Sequence, residues 1–158
     1  MIEFLSIFPD WLKVLISAMV PVFELRFSIP YGILLLKMPY LITYIISIIG
    51  SIIPAPFILW LIPSLLEWMR GTKYLSGIGN WIYNRGIKKS KSIDRYSFWG
   101  LVLFIAIPLP GTGVWTGCLA ASLIGIKLKR GITASVIGAS IAGVAMMVLT
   151  FILGTAIL

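Results

Sequence analysis

Pro21-Val22-Phe23-Glu24-Leu25-Arg26-Phe27-Ser28-Ile29-Pro30 sets two opposite charges between two prolines, with ten uncharged residues on either side of the charged triplet. A carboxylate or guanidinium at the centre of a membrane-inserted segment costs roughly 2.5–3.5 kcal/mol, so a chain that keeps both within three residues is expected to use them. Pro30 has no N–H and disfavours helical backbone just before it. The stretch is therefore predicted to be an interrupted helix, with amides and carbonyls freed beside the charges. Such backbone survives at membrane depth only under protein or around a wet cavity.

The surroundings fit that depth. Of 158 residues, 59% are hydrophobic and 11% charged, with a mean hydropathy of +1.05, whereas soluble domains carry about 25% charged residues. Three uncharged runs, Met38 to Leu66, Tyr96 to Ile126 and Ile132 to Leu158, are each long enough to cross a hydrocarbon core of about 30 Å. The chain reads as an all-α integral membrane protein with a single membrane domain, residues 1–158. Met1 to Asp10 holds two acids, no base and no small-residue cleavage site, so no signal peptide is expected. Without histidine, and with Cys118 alone, no metal site, cofactor or intrachain disulfide is expected. No nucleophile with a base and no nucleotide loop is visible, which argues against an enzyme. Thirteen Lys and Arg outnumber five acids, yet they cluster beside the apolar runs. That pattern sets topology and touches lipid rather than nucleic acid.

Before the charged stretch, Lys13 to Val22 is too short to span, and after it so is Ile29 to Leu36. Two half-length pieces around a polar turn predict a re-entrant hairpin, with one tilted, kinked helix from Trp11 to Leu36 as the alternative. A spanning helix follows from Pro39 to Trp68, interrupted at Pro54-Ala55-Pro56, where a break would act as a hinge or widen a cavity. Ser47, Ser51 and Ala55 give it a small face. Residues 70–97 form a polar linker with Arg70, Lys73, Arg85, Lys88, Lys89, Lys91 and Arg95 against Asp94 alone. Tyr74, Leu75, Ile78, Trp81 and Ile82 recur at helical period, as in an amphipathic helix among anionic headgroups; a plain loop whose charges fix topology reads equally well. Phe98 to Ile126 is broken at Pro108-Leu109-Pro110-Gly111-Thr112-Gly113. If it crossed the membrane, Lys127, Lys129 and Arg130 would face outward, so a second hairpin is expected. Ile132 to Leu158 then spans, with the rows Ala134, Gly138, Ala142 and Ser135, Ala139, Gly143 available for close packing or a homodimer.

The result is a repeat: hairpin plus transmembrane helix over 11–69, a cytoplasmic linker over 70–97, and hairpin plus transmembrane helix over 98–158. One intervening span makes the hairpins enter from opposite faces of the cytoplasmic membrane. That is inverted-repeat architecture, with both termini outside and both basic clusters in the cytoplasm.

Gly111, Thr112 and Gly113 precede a half-helix in which Gly113, Gly117, Ala121 and Gly125 recur every four residues. Its first turn would offer unpaired N–H groups beside the Thr112 and Thr116 hydroxyls, a setting that attracts phosphate. Arg26 would add a fork of donors, and Trp115 a wall. Glu24 and Arg26, two apart, would not face each other on a helix, so local pairing requires broken backbone. They form either a buried ion pair that pins the hairpin, or a site in which Arg26 holds an anion while Glu24 exchanges a proton. Pro21, Pro30, Pro54, Pro56, Pro108 and Pro110 are the expected hinges and turns.

Glu24-Leu25-Arg26-Phe27-Ser28-Ile29-Pro30 and Pro108-Leu109-Pro110-Gly111-Thr112-Gly113-Val114-Trp115-Thr116-Gly117 resemble the two hallmark segments of the small multidrug export family, and the resemblance covers essentially the whole chain. One departure is Phe27-Ser28, where that family usually has Gly-Ala. The resemblance implies a plan similar to the wider DedA-like group, with two opposed re-entrant hairpins and ties to lipid translocation, polyprenyl-phosphate recycling and proton-dependent drug resistance.

Three functions are compatible with these residues. The first is a transporter or flippase for an amphiphilic anion such as a polyprenyl phosphate or phospholipid. The second is a proton-coupled exporter of lipophilic cations using Glu24, for which Arg26 is an awkward neighbour. The third is a non-transporting scaffold acting through lipids or partners at its linker.

Overall fold

The computed structural model describes residues 8–72, 77, 80–81, 94–109 and 111–157. Its elements are α1 (Asp10–Met19), α2 (Glu24–Pro30) continuing into a π-helical turn (Tyr31–Leu35), α3 (Tyr40–Ile52), α4 (Pro54–Gly71), α5 (Asp94–Ala106), α6 (Val114–Ile124) and α7 (Leu128–Ile157). Among the described residues there is no strand. Tyr74, Leu75, Ile78 and Ile82 of the expected amphipathic stripe, the bases Lys73, Arg85, Lys88, Lys89 and Lys91, and Pro110 lie outside the described residues.

Two stretches are long and apolar enough to cross a membrane: Tyr40–Gly71, 32 residues with hydropathy 2.3, and Leu128–Thr155, 28 residues with hydropathy 2.4. At 1.5 Å per residue they reach roughly 48 and 42 Å, beyond the ~30 Å core. Helices α1, α2, α5 and α6 each reach about 20 Å or less.

The prolines behave less disruptively than their chemistry alone suggests. No extended backbone precedes Pro30: α2 runs through it and widens into the π-helical turn, where the Leu36 amide donates to the Tyr31 carbonyl at 3.1 Å. The interruption lies earlier, at Val20–Phe23, where the Phe23 and Glu24 amides both donate to the Val20 carbonyl. Likewise the Pro54-Ala55-Pro56 break shrinks to one residue. Ile53 keeps φ −49° and ψ −44°, and Pro54 opens α4, where a missing N–H is tolerated. The second break is broader and falls where expected, between α5 and α6.

Packing is reciprocal. Helix α1 lies along α3 and α5 along α7, while α2 reaches α7 and α6 reaches α4, around a crossing of α3 with α7. The seats match in position as well. Gly50, ten residues after Tyr40, lets α1 close in: a Cβ there would meet Ala18 Cβ and the Leu15 carbonyl oxygen, both at 2.7 Å. Gly138, ten after Leu128, does the same for α5, with Ile105 Cβ at 2.7 Å and the Val102 oxygen at 2.9 Å. Seven residues into the same helices, Ser47 bonds Ser28 of α2 at 2.8 Å, and Ser135 meets Cys118 of α6 at 3.3 Å. Ser28 and Cys118 each stand four residues into their own helix.

The small residues of α7 are consumed within this packing. Ala134, Ser135, Gly138, Ala139, Ala142 and Gly143 are all buried in the single chain, Gly143 beneath the Tyr44 ring. A second copy would have to use another face.

Candidate functional site

The α5–α6 break and the α1–α2 turn meet at one polar node. Glu24, 3% exposed, begins α2 at φ +44°, a left-handed conformation unfavourable for a residue with a side chain. That backbone aims its carboxylate at the start of α6. Oε1 accepts from the Trp115 amide at 3.0 Å, while Oε2 accepts from the Val114 amide at 3.3 Å and from Arg26 Nη1 at 3.1 Å. The pairing that helical spacing forbids is possible because Glu24 itself is not in helical conformation. Arg26 turns its other amine outward from the pair: Nη2 donates to Thr112 Oγ1 at 2.8 Å and to the Ile107 carbonyl at 3.1 Å. Its Nε is buried and has no partner among the described residues.

Gly113 makes room for this arrangement. At φ +153° and ψ −174° it occupies backbone nearly restricted to glycine, and a Cβ there would collide with Glu24 Oε2 and lie 2.8 Å from Arg26 Nη1. Gly111, at φ +84°, shapes the turn, and a Cβ there would meet open space. Thr112 braces it, its hydroxyl within reach of the Ile107 and Leu109 carbonyls at 2.7 and 2.9 Å. Trp115 closes one side, its indole N–H donating to the Met19 carbonyl at 3.0 Å.

Glu24, Arg26, Thr112, Gly113 and Trp115 thus come together as the sequence predicts. Thr116 does not join them: its hydroxyl makes only a 3.4 Å contact to the Gly113 carbonyl, and the residue is exposed along a neighbouring groove. The expected vacancy at the α6 N-terminus needs correcting, since the Glu24 carboxylate already holds two of its amides. The substitution of Ser28 for a smaller residue causes no separation. Its side chain faces α3 and bonds Ser47, while Phe27 points outward between Phe23 and Tyr31, with ring centroids 4.7 and 5.3 Å away. The carbonyls of Met19, Ile107 and Leu109 were missed, because backbone acceptors leave no mark in a sequence. Ser47 had been noted only as a small residue. The Cys118–Ser135 contact had no signal either.

The chain matches the family described as "Putative small multi-drug export protein" over residues 24–145, a span that contains Glu24, Arg26, Thr112, Gly113 and Trp115. No curated protein and no solved structure matches it. The chain belongs to that family, and it is a membrane protein by its helices and its kin.

Proposed function

We propose that this member of the small multidrug export family is a transporter, or flippase, for an amphiphilic anion such as a lipid-linked phosphate, with the Glu24–Arg26 node as its polar site. One observation carries the reading: the node is a receptor built from donors, already filled by an anion of the chain's own. Val114 N, Trp115 N and Arg26 Nη1 converge on a carboxylate, and Arg26 Nε remains a donor without an acceptor. Oxygens of a phosphate suit these donors once Glu24 withdraws, and protonation of Glu24 is the simplest way to weaken its hold. Proton and substrate would then be linked.

The architecture proposed with it is the DedA-like inverted repeat. Helix pairs α1–α2 and α5–α6 are re-entrant hairpins, entering from opposite faces, and each is followed by one span. The linker 70–97 and Lys127 to Arg130 lie on the cytoplasmic side of the cell membrane. Support comes from the lengths of the four short helices and from the matched seats at Gly50 and Gly138 and the matched pairs Ser28–Ser47 and Cys118–Ser135.

A second reading has the export in the family's description behind it: we propose as the alternative that the exported drugs are lipophilic cations, exchanged for protons at Glu24. It requires the carboxylate to leave three donors for a cation beside Arg26. The deciding assay is transbilayer movement of a polyprenyl phosphate in proteoliposomes at two pH values. Movement lost in Arg26→Ala, and no longer pH-dependent in Glu24→Gln, supports the anion. An absence of movement with all three proteins folded, together with cation flux under a pH gradient, overturns it in favour of the exporter.

A further inference from the structure

Between α4 and α6 runs a groove of about 650 Å³, apolar except for Thr116. Its volume lies within the range of about 300–1,000 Å³ usual for pockets that hold small ligands. Ile53, Pro54 and Phe57, the residues at the interruption between the two halves of the first span, line one side. A proline break that widens a cavity would place them there. Trp115 and Leu119 line the other side, and the α1–α2 turn adds Pro21.

Trp115 belongs to both the groove and the node. Its backbone N–H holds Glu24, and the residue also lines the groove. The polar site and the apolar groove therefore adjoin at Trp115 and at Met19, whose carbonyl takes the indole N–H, with the exposed Thr116 beside them. We propose that the groove receives the apolar part of the transported amphiphile, a single hydrocarbon chain entering sideways from the bilayer while its polar group engages Arg26. This rests on the transporter reading of the node.

Bilayer chains are as apolar as the groove, so moving a chain from lipid into it yields no net hydrophobic gain. Selective occupancy has to come from the head group. The test therefore reads occupancy that depends on the head, using dodecyl phosphate with a photoreactive diazirine at its chain end and the full protein in lipid nanodiscs.

Labelling should concentrate on residues 57–62 and 115–119, and fall at least about tenfold with excess unlabelled dodecyl phosphate or with Arg26→Ala. Leu61→Trp, which fills the groove without touching the node, should lower it several-fold, roughly half to one decade, in a protein that melts like wild type. Even labelling over all lipid-facing helices, or labelling indifferent to competitor, overturns the groove. Arg26-dependent labelling that falls elsewhere overturns the groove and leaves the anion site standing. Groove labelling by a dodecyltrimethylammonium probe instead, lost in Glu24→Gln and not in Arg26→Ala, supports the groove and overturns the anion.

Discussion

Gly113→Ala is the sharpest test of the node, because it adds one methyl group at the point where the two halves of the chain are tied. The new Cβ collides with Glu24 Oε2 and sits 2.8 Å from Arg26 Nη1. Neither neighbour is a free side-chain end: the carboxylate is held by three donors and the guanidinium by Thr112 and Ile107. The backbone angles add a strain of about 1–3 kcal/mol for any residue other than glycine. If the carboxylate is expelled as well, separating a buried charge pair costs about 3–5 kcal/mol. The expected loss is at least about 4 kcal/mol, measured by reversible unfolding in mixed micelles. Because the penalty acts largely through the carboxylate, Gly113→Ala in a Glu24→Gln background should cost at least about 1 kcal/mol less than in wild type. A loss below about 0.5 kcal/mol, or strict additivity of the two substitutions, would refute the placement of Glu24 against α6.

Gly50→Ala and Gly138→Ala should each destabilise by about 1–3 kcal/mol by forcing α1 or α5 off its span, and the two values should agree within a factor of two in the same unfolding assay. Ser28→Ala alone should cost about 1 kcal/mol by stranding the Ser47 hydroxyl, whereas Ser28→Ala with Ser47→Ala should cost no more than the single change, since both partners are then gone.

What the sequence exposed and what it concealed divide along physical lines. The spans were legible because hydropathy over twenty residues is set by side chains alone. The charged pair was legible because burying it is expensive. The position of the first break was not: Pro30 marks a missing N–H, yet the helix runs on through it, and the interruption falls at Val20–Phe23, where Pro21 is the only signal. Gly113 and Gly138 stand out as small residues at four-residue spacing, whereas Gly50 carries no such mark. Their partners, Leu15 and Val102 carbonyls and the Glu24 carboxylate, are set by long-range packing that no local pattern encodes. The rows on α7 read as faces for close packing or for a second copy, a choice that spacing alone leaves open, and within the single chain they are buried.

The matched positions also bear on why there is one polar node rather than two among the described residues. The pairs Ser28–Ser47 and Cys118–Ser135 align the fifth residue of α2 with the fifth of α6, which sets Glu24 opposite Val114 and Arg26 opposite Thr116. Under the proposed inverted repeat, each half would supply the same frame, with charges in one and backbone donors with a hydroxyl in the other. Two charged copies would bury four charges near one another, and the like-charged guanidinium groups would repel in a medium that screens poorly. With a single charged copy, the Glu24 carboxylate finds its remaining donors on the α6 amides across the interface. Moving Glu24 to the other copy, as Glu24→Val with Val114→Glu, should then fail to restore the node, because Glu24 reaches the α6 amides only from the left-handed backbone that opens α2. Recovery of wild-type stability in that exchange, measured by the same unfolding assay, would show that the two positions are interchangeable and that this account of the asymmetry is wrong.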